Sequence, residues 1–63
     1  KVDINTATPD QLQQLNGVGP ALAQRIVADR QANGPFKTVE ELKRVSGIGD
    51  KKYASLADSI CVG

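Results

Sequence analysis

Apolar positions fall along the chain in short bursts at helical spacing, and the pattern occurs twice. Leu12, Leu15, Val18 and Ile26 are matched 30 residues later by Leu42, Val45, Ile48 and Leu56, and Gly17 and Gly19 by Gly47 and Gly49. Self-similarity at a fixed offset marks a repeated supersecondary unit. Each half predicts a short helix, a glycine-bounded turn and a second helix. The fold class expected is therefore all-α: one domain over 1–63 with four to five short helices, the first hairpin at about 8–33 and the second at about 38–60.

Start and stop signals sharpen these elements. Thr8-Pro9-Asp10-Gln11 reads as a capping box, with Thr at the cap, Pro at the first helical position and Gln at the third. Thr38-Val39-Glu40-Glu41 repeats the device with Glu. From about Pro20, Leu22, Ala23, Ile26 and Val27 make one apolar helix face. Asn33-Gly34-Pro35 stops that helix, because Gly takes the left-handed position and Pro cannot continue. The last helix is expected from Asp50 to about Ser59, with Tyr53, Leu56, Ala57 and Ile60 inward. Val2-Asp3-Ile4 alternates like an extended segment; with no partner strand evident, it reads as a strap on the bundle.

Composition narrows the function classes. At 63 residues with 40% hydrophobic content, the chain has room for a small aliphatic core and none to spare for a buried catalytic pocket. There is no histidine and one cysteine, Cys61, so neither a zinc site nor an intramolecular disulfide can be assembled. Cys61 reads as a small structural hydrophobe. No secretory signal or membrane span is evident. A first residue of Lys1 rather than Met reads as a processed or excised fragment. The formal net charge of +1 is low for a nucleic-acid binder, where a basic excess is the usual footprint. The positive charge lies in the second half, around Lys37, Lys43, Arg44, Lys51 and Lys52.

The chemistry is concentrated in the turns, Asn16-Gly17-Val18-Gly19 and Ser46-Gly47-Ile48-Gly49. Glycines permit positive φ and let another molecule approach the backbone. Val18 and Ile48 point into the core and fix each loop. The next helix starts at once, so its unpaired N–H groups and its dipole favour an anion beside the turn. One such turn is an ordinary helix connector; two in register point to a polyphosphate backbone.

Leu12-x-x-Leu15-x-Gly17-Val18-Gly19-x-x-x-Ala23-x-x-Ile26 resembles the helix-hairpin-helix pattern, and Leu42-x-x-Val45-x-Gly47-Ile48-Gly49 begins it again. The flanking Val2-Asp3-Ile4-Asn5-Thr6-Ala7 and Asn33-Gly34-Pro35-Phe36-Lys37-Thr38-Val39-Glu40-Glu41-Leu42 resemble the C-terminal domain of the ComEA competence DNA receptors. That resemblance implies sequence-independent binding of double-stranded DNA during natural transformation, at the cell surface or in the periplasm. It also implies a membrane anchor or signal peptide in the parent protein. It implies no cofactor, although turn carbonyls hold a monovalent cation in relatives. The expected DNA-binding residues are Asn16, Gly17, Val18, Gly19, Ala21, Gln24 and Arg25 in the first hairpin, with Ser46, Gly47, Ile48, Gly49, Lys51 and Lys52 in the second.

The second half departs from the first at two places. Tyr53 stands where Ala23 stands, which predicts a more splayed hairpin, and Asp50 stands where Pro20 stands, at the mouth of the second anion site. Lys51 and Lys52 are expected to offset Asp50. Arg25 has a competing structural role, an i, i+4 pair with Asp29. Lys43 and Arg44 read as a solvated face, and Tyr53 and Phe36 as core. Catalysis is not expected, since no close acidic pair is evident. Two other readings stay open: a DNA-targeting module of a repair nuclease or helicase, and a protein-interaction module.

Overall fold

Thr8 builds the first helix as its sequence requires. In the computed structural model, which describes residues 1–63, its hydroxyl accepts from the Gln11 N–H at 3.2 Å, and the Gln11 side chain accepts from the Thr8 N–H at 2.9 Å. The box closes helix α1, Pro9–Leu12, a single turn. Helix α2, Pro20–Asn33, follows after the first glycine turn and ends at Gly34, whose φ of 87° only glycine adopts readily.

The second half uses the same order with looser chemistry. Thr38 caps nothing with its side chain, contrary to the expected box, and Val39–Arg44 forms a 3-10 helix instead of an α-turn. Glu41 is drawn elsewhere: its carboxylate accepts from the Lys37 N–H at 2.9 Å and from Arg44 at 3.3 Å. The first half also has Pro9 to preset the opening dihedral, where the second has β-branched Val39. Helix α3, Asp50–Leu56, passes into a 3-10 turn over Ala57–Ser59.

Val2–Asp3 is a strand, β1, and it has a partner, which corrects the strap reading. Ile60–Cys61 forms β2, parallel to β1, with Val2 opposite Ile60 and Asp3 opposite Cys61. The Ile4 N–H extends the ladder to the Cys61 carbonyl at 3.0 Å. The domain is thus an all-α pair of hairpins whose two ends are stitched by a two-residue ribbon.

The core is the repeat made physical. Leu12 with Leu42, Leu15 with Val45, Val18 with Ile48, and Ile26 with Leu56 are all buried, joined by Ile4, Ala7, Ala23, Phe36 and Ile60. Tyr53 is half-buried at the edge of this cluster, as are Val27 and Leu22. Asn5 locks the N-terminal segment to the linker between hairpins. Its side-chain oxygen accepts from the Phe36 N–H at 2.7 Å, and its amide donates to the Phe36 carbonyl at 2.9 Å. Arg44 performs a similar task and is no solvated bystander. It donates to Asp29 at 2.5 Å and to the Gly34 carbonyl at 2.7 Å, while its guanidinium stacks 4.3 Å from the Phe36 ring centre. These contacts join α2, the linker and the 3-10 helix, so the two hairpins hold a fixed relative placement.

Candidate functional site

The two turns have the same backbone shape. Gly17 and Gly47 take φ of 80° and 99°, in the region L side chains avoid. Gly19 and Gly49 are different: their φ values of −95° and −97° are ordinary extended backbone, which corrects the expectation that both glycines of each turn serve a positive φ. A methyl group placed on Gly19 or Gly49 would meet nothing within 4 Å. The fold therefore has no internal use for the missing side chain at either position, and a small residue there matters only to something approaching from outside.

Each turn is closed alike. The Val18 N–H donates to Leu15 at 3.1 Å and the Ile48 N–H to Val45 at 3.0 Å; the Ala23 N–H donates to Gly19 at 3.0 Å and the Tyr53 N–H to Gly49 at 2.9 Å. Val18 and Ile48 are buried, as expected, and anchor their loops. The Tyr53 ring lies at the rim of the core under Lys43, whose ammonium is 5.0 Å from the ring centre.

What each turn presents outward is a set of free donors. The N–H groups of Gly19, Ala21 and Leu22 have no protein acceptor, and neither do those of Gly49, Lys51 and Lys52. Asn16, Ser46 and the four turn glycines are exposed, as are Ala21, Gln24, Arg25 and Lys51, while Lys52 is half-buried.

The turns lie against each other's helices. The Lys52 ammonium, from α3, donates to the Gly17 carbonyl at 3.0 Å. A methyl group on Gly47 would lie 3.1 Å from the Arg25 guanidinium and 3.3 Å from Leu22, both from α2. Both turns, Arg25 and Lys52 therefore gather on one face, and Lys51 lines a shallow groove with Lys52 and Ser55.

The ion pairing differs from that expected. Asp29 pairs with Arg44, so Arg25 has no acidic partner. Asp50 is met by Lys43 at 3.4 Å rather than by Lys51 or Lys52. That pair is solvent-exposed and worth at most about 1 kcal/mol, yet it cancels the one carboxylate at the second turn. Arg25, Lys51 and Lys52 remain as uncancelled cations. A chain of net charge +1 thus presents a distinctly positive face. Lys43 was missed as a contributor to this face because its partner lies across the turn, beyond the spacing of a helical pair.

Two equivalent helix–glycine turn–helix units around a common core, with free amides and cations on one face, define a tandem helical hairpin domain. The model for the helix-hairpin-helix motif matches residues 1–61, and the chain belongs to that family. It is 49% identical over 61 residues to ComE operon protein 1 of Bacillus subtilis, covering 97% of this chain and 30% of that protein. It is 45% identical over 62 residues to human Endonuclease/exonuclease/phosphatase family domain-containing protein 1, covering 98% of this chain and 11% of that protein. An uncharacterized protein of Neisseria meningitidis is 39% identical over 56 residues, 89% of this chain and 7% of that protein. The chain thus spans less than a third of the length of these curated relatives.

Proposed function

We propose that the domain binds double-stranded DNA through backbone phosphates, without reading base sequence, and that it is a non-enzymatic binding module. The observation that carries this reading is the pair of turns with matching torsions, sharing one face with Arg25, Lys51 and Lys52. Backbone amides and helix N-termini favour phosphate oxygens, and contacts to phosphate position a protein without conveying sequence. The residues assigned to the contact are the turn residues Asn16 to Gly19 and Ser46 to Gly49, together with Ala21, Gln24, Arg25 and Lys51; Val18 and Ile48 act from the core by holding their loops, and Lys52 belongs to the same face through its bond to the Gly17 carbonyl.

The biological role proposed is DNA uptake during natural transformation, outside the cytoplasm, in a parent protein that carries its own anchor or signal. Support comes from the resemblance to competence receptors across both the hairpins and their flanks, and from the similarity to ComE operon protein 1. A second reading, a DNA-targeting module of a nuclease, is favoured by the 45% identity to the endonuclease/exonuclease/phosphatase relative. Both place duplex DNA on the same face. The absence of any exposed large hydrophobic residue weighs against a protein-docking role. At the first turn the Lys52 ammonium engages the Gly17 carbonyl, so a monovalent cation there would have to displace it.

Titration of the domain with unrelated duplexes of equal length, at two salt concentrations, tests the reading. With Arg25 and Lys51 at the phosphates and the Lys52 ammonium held by the Gly17 carbonyl, log K is expected to fall against log salt with a slope of about −1.8. Failure to bind any duplex at low salt would overturn it.

A further inference from the structure

The peptide unit joining Gly17 to Val18 is held at both ends. Its N–H donates to the Leu15 carbonyl at 3.1 Å, and its carbonyl accepts from the Lys52 ammonium at 3.0 Å. In the second turn the matching unit is held at one end only: the Ile48 N–H donates to Val45, and the Gly47 carbonyl receives nothing. The position matching Lys52 in the repeat is Leu22, which packs beside Gly47 without a polar group to offer.

We propose that Lys52 is a positioning residue for the duplex-binding face, tying the first turn to α3 and fixing the orientation of its peptide. This rests on the duplex-binding reading. Three physical consequences follow from the contact. A charged donor to a carbonyl makes a stronger bond than a neutral one. The bond links residues 35 apart in sequence, so it ties the two hairpins together at the turn. It also covers a carbonyl oxygen whose partial negative charge would otherwise face an approaching phosphate. The absence of a side chain at Gly17 makes room for the lysine, since a methyl group there would lie 2.8 Å from the Lys52 nitrogen.

Lys52→Met keeps the aliphatic stem and removes the donor, Lys52→Arg keeps charge and donor, and Lys51→Met is the control for lost surface charge. Amide exchange of Val18 in the DNA-free domain is the first readout. Loss of a charged hydrogen bond is expected to speed it about tenfold in Lys52→Met, to leave it unchanged in Lys51→Met, and to be largely reversed in Lys52→Arg. Equal Val18 exchange in Lys52→Met and Lys51→Met would overturn the proposal. This arm needs no DNA, so its outcome is independent of whether the duplex-binding reading holds. The second readout is a double-mutant cycle with Gly19→Val on duplex affinity. If Lys52 acts through the first turn, its loss weakens binding several-fold in the parent and has little effect once Gly19 is Val. Full additivity would show an independent phosphate contact and overturn the positioning role.

Discussion

In the first hairpin the turn leads into a 14-residue helix that opens with Pro20, and Lys52 reaches across to its carbonyl. In the second, the same torsions lead into a seven-residue helix that opens with Asp50, and Arg25 and Leu22 lie beside Gly47 without donating to its carbonyl. Three free amides match between the turns and Asp50 adds one that Pro20 lacks, but the surroundings differ. Fourteen aligned peptides supply the fuller dipole at the first turn, whereas the second turn carries a carboxylate that Lys43 must cancel. Lys51 and Lys52 restore positive charge where the second helix is short. The pair teaches that a repeated backbone motif can keep its torsions while its surroundings diverge: the first turn gains a cross-hairpin tie from Lys52, and the second a local ion pair between Lys43 and Asp50.

The largest expected effect comes from removing the amide cradle. Gly19→Val leaves the backbone unstrained, because its φ is −95° and the space beside it is open, but it obstructs the phosphate. Losing one of two rigidly linked sites is expected to weaken duplex binding about a hundredfold, with circular dichroism unchanged. Gly49→Val is expected to cost about tenfold, roughly 1.4 kcal/mol. Equal losses in fluorescence-anisotropy titrations would erase the distinction between the hairpins.

Gly17→Val acts on the fold instead. A β-branched residue at φ 80°, crowded against Lys52, is expected to cost about 1–3 kcal/mol, seen as a lowered Tm in thermal unfolding. Asn5→Ala removes both hydrogen bonds to Phe36 and is expected to cost about 1–3 kcal/mol. Because the linker serves both halves, it should leave the ratio of the Gly19 and Gly49 effects intact; a selective loss of one hairpin would show that they are not coupled through the linker. The smallest effect is Lys51→Ala, expected to flatten the salt slope by about one unit and to weaken unrelated duplexes equally. A change in sequence preference would mean that Lys51 touches a base edge.

The fold was legible because its signals are local and repeated. Leu12, Leu15, Val18 and Ile26 lie on one side of short helices, and their partners 30 residues on fill the same core. The first capping box formed as its residues required, since donor and acceptor are three apart and no competitor intervenes. The second did not, because Arg44 and the Lys37 amide took Glu41. The Val2–Asp3 strand was visible as extended chain, but Ile60–Cys61 was hidden within a helical pattern, so its pairing was not.

The sequence alone thus determined the repeat, the glycine turns, the buried residues that hold them and the helix that follows the first, all products of chemistry within a few residues along the chain. Only the tertiary structure decided where the long cationic side chains go: Lys52 to Gly17, Arg44 to Asp29, Lys43 to Asp50, and Arg25 to none of the acids. Each of those side chains has several acceptors within the reach of its flexible stem. Which one it meets depends on how the two hairpins are set against each other, and that is fixed by the shared core rather than by sequence spacing.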